Sequence, residues 1–548
     1  MKLLTYHIII KLIVIFAITF CSNNIFAQFD VEEKSLIKTE NNYRIYPSNV
    51  TQTEVFITKS PLDENFLFSS CNTLTFIPFF ISEGVYTTED AGHSWQGSDS
   101  CAGDPISFHG GDPGIAIDKN GRLILTRLGR SPFVGLYSHF SDDNGTTWSQ
   151  QKVISTEDLE RASVTTDAVN SSSYFGRTYA TWVKFASPFP IMMSFTNDGA
   201  ENWSTPQQIN TPPKRSAGGD IALGSNGEVY TCWAGVTESS PFKEIYVGFA
   251  SSTNGTENWD VSENAYEMNG ITGLLANKGN IRVNGLPGIA VDNSGGERDG
   301  WIYIVTGEKD LTPAGSDPDI IIHRSSDGGV SWSTGIRVNQ DALNNGKTQY
   351  FPSIHVDKFG AIDIIYYDDR NTSIDSTGVF LSRSLDGGDS WQEFEISDHN
   401  FKPVPIGGLG QGYQGDNIDL SSTETKIIPV WMDNSTGIYQ IWTAPISFSF
   451  LNDIEENKNL SFELNQNFPN PFRFSTTINF HLSEADFVSL KVYNAMGKLM
   501  ETLINEDLEA GNHKVYYSVE NSNSKTGVYF YQLNTGKYSD TKTMILSH

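Results

Sequence analysis

The sequence predicts an all-β fold: a ring of six or seven repeated four-stranded sheets, followed by a small C-terminal β-sandwich. Three observations carry that expectation: an eight-residue turn motif that recurs six times, paired apolar segments of strand length ahead of the copies, and a change of composition after Pro445. Aromatic residues make up 12% of the chain and glycine occurs 48 times, a mixture that suits short strands and tight turns better than helices. At 548 residues the chain exceeds what one hydrophobic core supports, so several domains or a large toroid are expected.

The turn motif reads Ser/Thr-x-Asp-x-Gly-x-x-Trp. Residues 88–95, 141–148, 325–332 and 384–391 match it fully, with Asp90, Asp143, Asp327 and Asp386 at the third position. Residues 196–203 keep Asp198 but carry the glycine one place early at Gly199, and residues 252–259 have Asn254 and Gly255. Successive copies lie 53, 55, 56, 73 and 59 residues apart, enough for four short strands each. In such a turn the aspartate accepts backbone N–H bonds, the glycine supplies positive φ and the tryptophan tucks beneath. The five aspartates are therefore assigned to structure, not to chemistry.

Paired strand segments precede the copies, as in 114–118 with 122–126, 288–292 with 301–305, and 353–357 with 361–365. Further units begin near Val55, Ala162 and Gly219, and a seventh, across 416–442, has strands but no motif. Residues 42–46 can close the ring from the other terminus, which protects the sheet edges and favours seven units; merging the two terminal pieces gives six.

The motif is the Asp-box, and through it the chain resembles the sialidase superfamily of β-propellers. The resemblance implies boxes between the third and fourth strands of each blade, on the face opposite the substrate. The family's early Phe/Tyr-Arg-Ile-Pro signature is approximated by Tyr43-Arg44-Ile45-Tyr46-Pro47, with one residue inserted.

Residues 1–27 read as a secretory signal, with Lys2 and Lys11 around an apolar run from Ile8 to Phe20 and a small residue at Ala27. Cys21 follows bulky Phe20, which argues against lipidation. An oxidising compartment permits a Cys71–Cys101 bridge, and Cys232 reads as a buried strand thiol. The propeller is expected over 28–446 and a linker over 447–461. Over 462–548, the segments 464–472, 475–480, 488–493, 527–531 and 542–546 resemble, in order, the type IX secretion sorting domain. That resemblance implies export through type IX machinery to the medium or the outer-membrane surface. A formal charge of -28 argues against nucleic acid or an anionic membrane as a bulk partner, and a monomer is expected.

Ligands of propellers sit over the central channel, on the face where first strands begin and second strands end. There the sequence places Arg161, Arg215 and Arg282 ahead of first strands, Tyr413 ahead of the last unit, and Trp182, Trp233, Trp431, Glu308, Asp368 and Asp369 at the ends of second strands. Rings that stack on sugars and charges that orient or protonate are what a glycan site needs. The family resemblance implies a tyrosine nucleophile, here Tyr413, helped by carboxylates drawn from Glu308, Asp368 and Asp369. It also implies three arginines, Arg161, Arg215 and Arg282, around an acidic sugar; from their place on the rim, Trp182, Trp233 and Trp431 are the expected stacking platforms. Plainer roles exist for the same residues: tryptophans as packing between blades, arginines as partners of Asp112 or Asp416. No zinc-spaced Cys/His set, EF-hand loop, Gly-x-Ser-x-Gly elbow or phosphate loop is present, so no metal or cofactor is expected, and Ca²⁺ has no motif. Two classes stay open: a glycoside hydrolase of sialidase type acting on glycan or glycoprotein, and a noncatalytic glycan- or protein-binding propeller.

Overall fold

The structure, a computed structural model, describes residues 42–76, 79–101, 109–449, 451, 463–482, 485–519, 525–536 and 538–547. The signal segment 1–27 and the linker's 452–461 lie outside them. The chain divides into two units, the larger ending at Pro445 apart from Thr425–Ile427, the smaller formed by those three residues and 446 onward.

Among the described residues the larger unit contains seven antiparallel sheets of four or more strands, here blades 1 to 7, over residues 51–98, 109–155, 163–208, 215–267, 288–337, 349–395 and 419–443. Strands lie in chain order from the inside of each blade outward. The seven first strands touch one another in a closed ring, which makes the unit a seven-bladed β-propeller. Blade 7 takes its outermost strand from the N-terminal side: Tyr43–Arg44 pairs antiparallel with Gln440–Thr443. The two terminal pieces thus complete one blade without reducing the count to six, and the Tyr-Arg-Ile-Tyr segment lies at the outer edge of the ring rather than at its axis.

Two half-buried aspartates on the cavity wall tie the ring from inside. Asp220 of blade 4 accepts from Ser163 Oγ of blade 3 at 2.5 Å and from the Ile289 N–H of blade 5 at 3.0 Å. Asp419 of blade 7 accepts from Ser353 Oγ of blade 6 and from the Ile57 N–H of blade 1, each at 3.0 Å. Each carboxylate also accepts the N–H of the next residue in its own strand, so blade and neighbours share it.

All six boxes sit between third and fourth strands. In the fifth, Asp327 accepts from Ser325 Oγ at 2.7 Å, Ser331 N–H at 2.9 Å and Ser331 Oγ at 2.6 Å, while the Gly329 N–H donates to Ser325 Oγ at 2.9 Å. The turn takes two consecutive left-handed residues, such as Gly328 and Gly329 at φ 75 and 89°. The third and fourth copies keep that backbone without any shift: Gly199 and Gly255 take the first left-handed place, and Ala200 (φ 69°) and Thr256 (φ 75°) take the second, where glycine normally stands.

The expected Cys71–Cys101 bridge is not formed. Cys71 lies in the blade 1 core, 3.8 Å from the Tyr86 hydroxyl, whereas Cys101 packs in a separate cluster with Ile115 and Leu125, and all three mature cysteines are free and buried. The smaller unit pairs a three-stranded sheet with a four-stranded one around Phe480, Val488, Leu490, Tyr531 and Met544, the β-sandwich expected of 462–548.

Candidate functional site

A cavity of about 650 Å³ runs into the axis from the face opposite the boxes, and all seven first strands contribute to its wall. Bulges in those strands shape it. Registers break at Thr53/Phe56, Gly111/Gly114, Ala217/Asp220 and Tyr350/Ser353, and each break holds a left-handed residue: Glu54 (φ 56°), Asp112 (φ 58°), Gly218 (φ 64°) and Phe351 (φ 52°). A bulge re-aims one side chain out of the pleat. In blades 1 and 2 the side chain so directed is a carboxylate.

Glu54, Asp112, Asp416, Arg161, Arg282 and Tyr413 line the cavity, along with Glu160, Asp220, Asp419 and Arg130. Asn72 joins them, donating to Glu54 Oε2 at 2.9 Å and to the Tyr413 hydroxyl at 3.3 Å, while its carbonyl accepts the Asp112 N–H at 2.7 Å. The Tyr413 hydroxyl also shares a hydrogen bond with Thr53 Oγ1 at 3.2 Å. Arg282 Nη2 meets Asp416 Oδ2 at 2.5 Å, with its guanidinium 5.3 Å from the Tyr413 ring centre. Arg161 lies over the Phe56 ring at 4.6 Å.

Burial holds Glu54 well above the ordinary carboxylate range, and Asp112 and Asp416 push it further against the pull of Arg161 and Arg282. Asp112 and Asp416 are raised too, again by burial first. Burial, then the Glu54 charge, pushes the Tyr413 hydroxyl well up, so it stays protonated until a base acts on it.

Arg282 arrives by a detour. Between blades 4 and 5 the chain forms a hairpin, Gly273–Leu275 with Ile281–Val283, whose tip residue Lys278 is fully buried. Lys278 Nζ contacts Asp369 and donates to the Ile374 carbonyl at 2.5 Å, while Asp369 also accepts the Thr348 N–H at 2.8 Å. The Arg282 N–H donates to the Gly412 carbonyl at 2.8 Å, which sets Arg282 beside Tyr413. One buried ion pair thus pins the hairpin that delivers a cavity arginine.

Of the residues expected from sequence, Tyr413, Arg161 and Arg282 come together in the cavity; the others lie elsewhere. Asp369 is the hairpin's anchor. Asp368 is buried against Arg370, whose Nε donates to it at 2.7 Å. Glu308 is buried on blade 5, accepting from Thr306 Oγ1 at 2.7 Å and the Asn269 N–H at 3.1 Å. Trp182, Trp233 and Trp431 are fully buried in blade cores, so none has a ring face to offer a sugar. Arg215 stands outside the cavity, between Phe189 and Phe242. The second-strand residues share a reason: a second strand is one strand removed from the axis and most of its side chains fill the space between blades, Asn72 of blade 1 being an exception.

Comparison with solved structures finds likenesses at low identity. An ulvan lyase of a new polysaccharide lyase family, bound to -[GlcA(1-4)Rha3S]-, shares 11% identity over 74% of this chain and 96% of its own, with a TM-score of 0.49. A Hadza microbial sialidase shares 12% over 69% of this chain and 74% of its own, at 0.39. A leech intramolecular trans-sialidase shares 11% over 60% and 67%, at 0.41. No curated protein matches the chain. Residues 466–547 match the secretion system C-terminal sorting domain, which makes this chain a cargo of the type IX machinery, destined for the cell surface or the medium.

Proposed function

We propose that the axial cavity is a glycan site and that the propeller is a glycoside hydrolase acting on an acidic sugar. The observation that carries this reading is the convergence of raised carboxyls, Glu54, Asp112 and Asp416 among them, with Arg161, Arg282 and Tyr413 in one cavity. Arg161 and Arg282 bind the sugar's carboxylate. The Tyr413 oxygen attacks the anomeric carbon as its proton passes to the ionised member of the Glu54–Asp112 pair, and the protonated member delivers its proton to the departing glycosidic oxygen. Water then cleaves the tyrosyl–glycosyl bond, giving a proton back to the carboxylate that lost one as the other returns its own to Tyr413.

One observation favours a second reading, a binding propeller without catalysis: Asp416 is already neutralised by Arg282. The test is hydrolysis of a fluorogenic α-sialoside and a panel of aryl glycosides, uronides included, by the mature chain. Turnover abolished by Tyr413→Phe supports the hydrolase. Turnover untouched by Tyr413→Phe, or none across the panel from a folded sample, rejects it in favour of binding.

A further inference from the structure

On the same face as the cavity mouth, one arginine is held between two aromatic rings. Arg215 opens the first strand of blade 4, Arg215–Leu223, and its guanidinium carbon lies 3.9 Å from the centre of the Phe189 ring and 4.4 Å from that of Phe242. Among the described residues it has no ion pair, and its buried Nε has no hydrogen-bond partner. In a chain with 65 acidic residues against 37 lysines and arginines, an arginine without a carboxylate is a charge left available.

The flanking rings come from a repeated loop. The connections between second and third strands read Arg130-Ser131-Pro132-Phe133, Ala186-Ser187-Pro188-Phe189 and Ser239-Ser240-Pro241-Phe242 in three consecutive blades. In each, the N–H of the phenylalanine donates to the carbonyl three residues earlier, at 2.7, 2.7 and 2.9 Å. Phe189 and Phe242 take left-handed backbone, φ 61 and 54°, a conformation bulky residues rarely adopt. The strain is therefore confined to the two phenylalanines that flank Arg215. Phe133 and Phe242 are 49% and 42% exposed, so the loops turn aromatic surface to solvent.

This ledge is continuous with the cavity. Gly218 and Asp220, on the strand that Arg215 opens, line the cavity wall, and Arg130 of the first loop lines it as well. Three residues of strand separate Arg215 from Gly218, roughly 10 Å, on the order of two sugar rings.

We propose that the ledge is an outer subsite for an acidic polysaccharide. Arg215 binds the carboxylate or sulfate of a unit outside the cavity, and the phenylalanine rings lie against sugar faces. The inference rests on the cavity being a glycan site and extends the ligand from a single acidic residue to a stretch of polyanionic chain.

The mature chain is titrated calorimetrically with polygalacturonate, chondroitin sulfate and polysialic acid, then with a disaccharide and a hexasaccharide of whichever binds. Arg215→Gln is expected to weaken hexasaccharide binding about tenfold while leaving the disaccharide unchanged. Phe242→Leu, which keeps the charge, weakens the hexasaccharide by less. Arg161→Gln reads the cavity itself and weakens both lengths. No binding of the three polyanions, a hexasaccharide indifferent to both ledge variants, or equal loss at both lengths in Arg215→Gln overturns the ledge. Binding of both lengths unchanged by Arg161→Gln overturns the cavity reading instead.

Discussion

The two faces of the propeller use the same residue type in opposite ways. At the boxes, Asp327 is held down to about 2 by the Ser331 hydroxyl and N–H and by Ser325, all within its own turn. At the cavity, Glu54, Asp112 and Asp416 come from blades 1, 2 and 7, and burial raises all three. A box is a local device that stabilises one hairpin. The cavity is a long-range device that gathers charge at a cost in stability, as functional sites commonly do.

The largest effect that would sharpen this contrast is catalytic. Asp112→Asn is expected to lower turnover of a responsive acidic glycoside by about 10²- to 10⁴-fold, the usual contribution of a positioned acid. Asp327→Asn is expected to leave turnover intact, and the same fluorogenic assay reads both. A comparable loss from Asp327→Asn would break the distinction between the faces.

Next in size is the hairpin anchor. Lys278→Met leaves Asp369 charged, buried and without its partner, a loss of about 3–5 kcal/mol by urea unfolding. Lys278→Met with Asp369→Leu removes both charges and is expected to recover most of it.

A smaller effect has opposite pH signatures on the two faces. Glu54 has a folded pKa above its unfolded value, so its stabilising contribution is full below an unfolded pKa of about 4.3 and is lost as pH rises through the folded value. Glu54→Gln should therefore raise stability at pH 8 by about 0.5–2 kcal/mol and give no gain at pH 4. Asp327 is depressed, so its contribution is present above an unfolded pKa of about 3.9 and is lost as pH falls toward about 2. Denaturation midpoints across that range should lose part of their acid sensitivity in Asp327→Asn.

The smallest effect lies in the fourth box. Thr256 is a β-branched residue in a left-handed place, so Thr256→Gly should stabilise by about 0.5–1 kcal/mol, seen as a rise in melting temperature. A decrease would show that the side chain contributes more than its backbone strain removes.

The contrast also explains what could be read in advance. The boxes were legible because every donor and acceptor falls within eight residues, and the closing strand at Tyr43–Arg44 because an open ring needs one. Arg161 and Tyr413 were legible as positions ahead of first strands; Arg282 reaches the cavity through its own hairpin, and Arg215, which opens a first strand, does not reach it. Glu54 and Asn72 were missed: Glu54 owes its direction to a bulge that ordinary alternation does not announce, and Asn72 lies inside an apparently routine second strand. Glu308, Asp368 and Asp369 do stand at the ends of second strands, as read from the sequence, but they are buried there and do not line the cavity. The Ser-Pro-Phe repeat was present in the sequence but carries meaning only once Arg215 lies between two of its rings.

The most direct test of the account is a crystal structure of the propeller with an acidic oligosaccharide bound. The ligand is expected in the axial cavity, its carboxylate within hydrogen-bonding distance of Arg161 or Arg282 and its anomeric carbon facing Tyr413. A ligand seated on the Asp-box face, or one in the cavity with its acidic group turned away from both arginines, would contradict it.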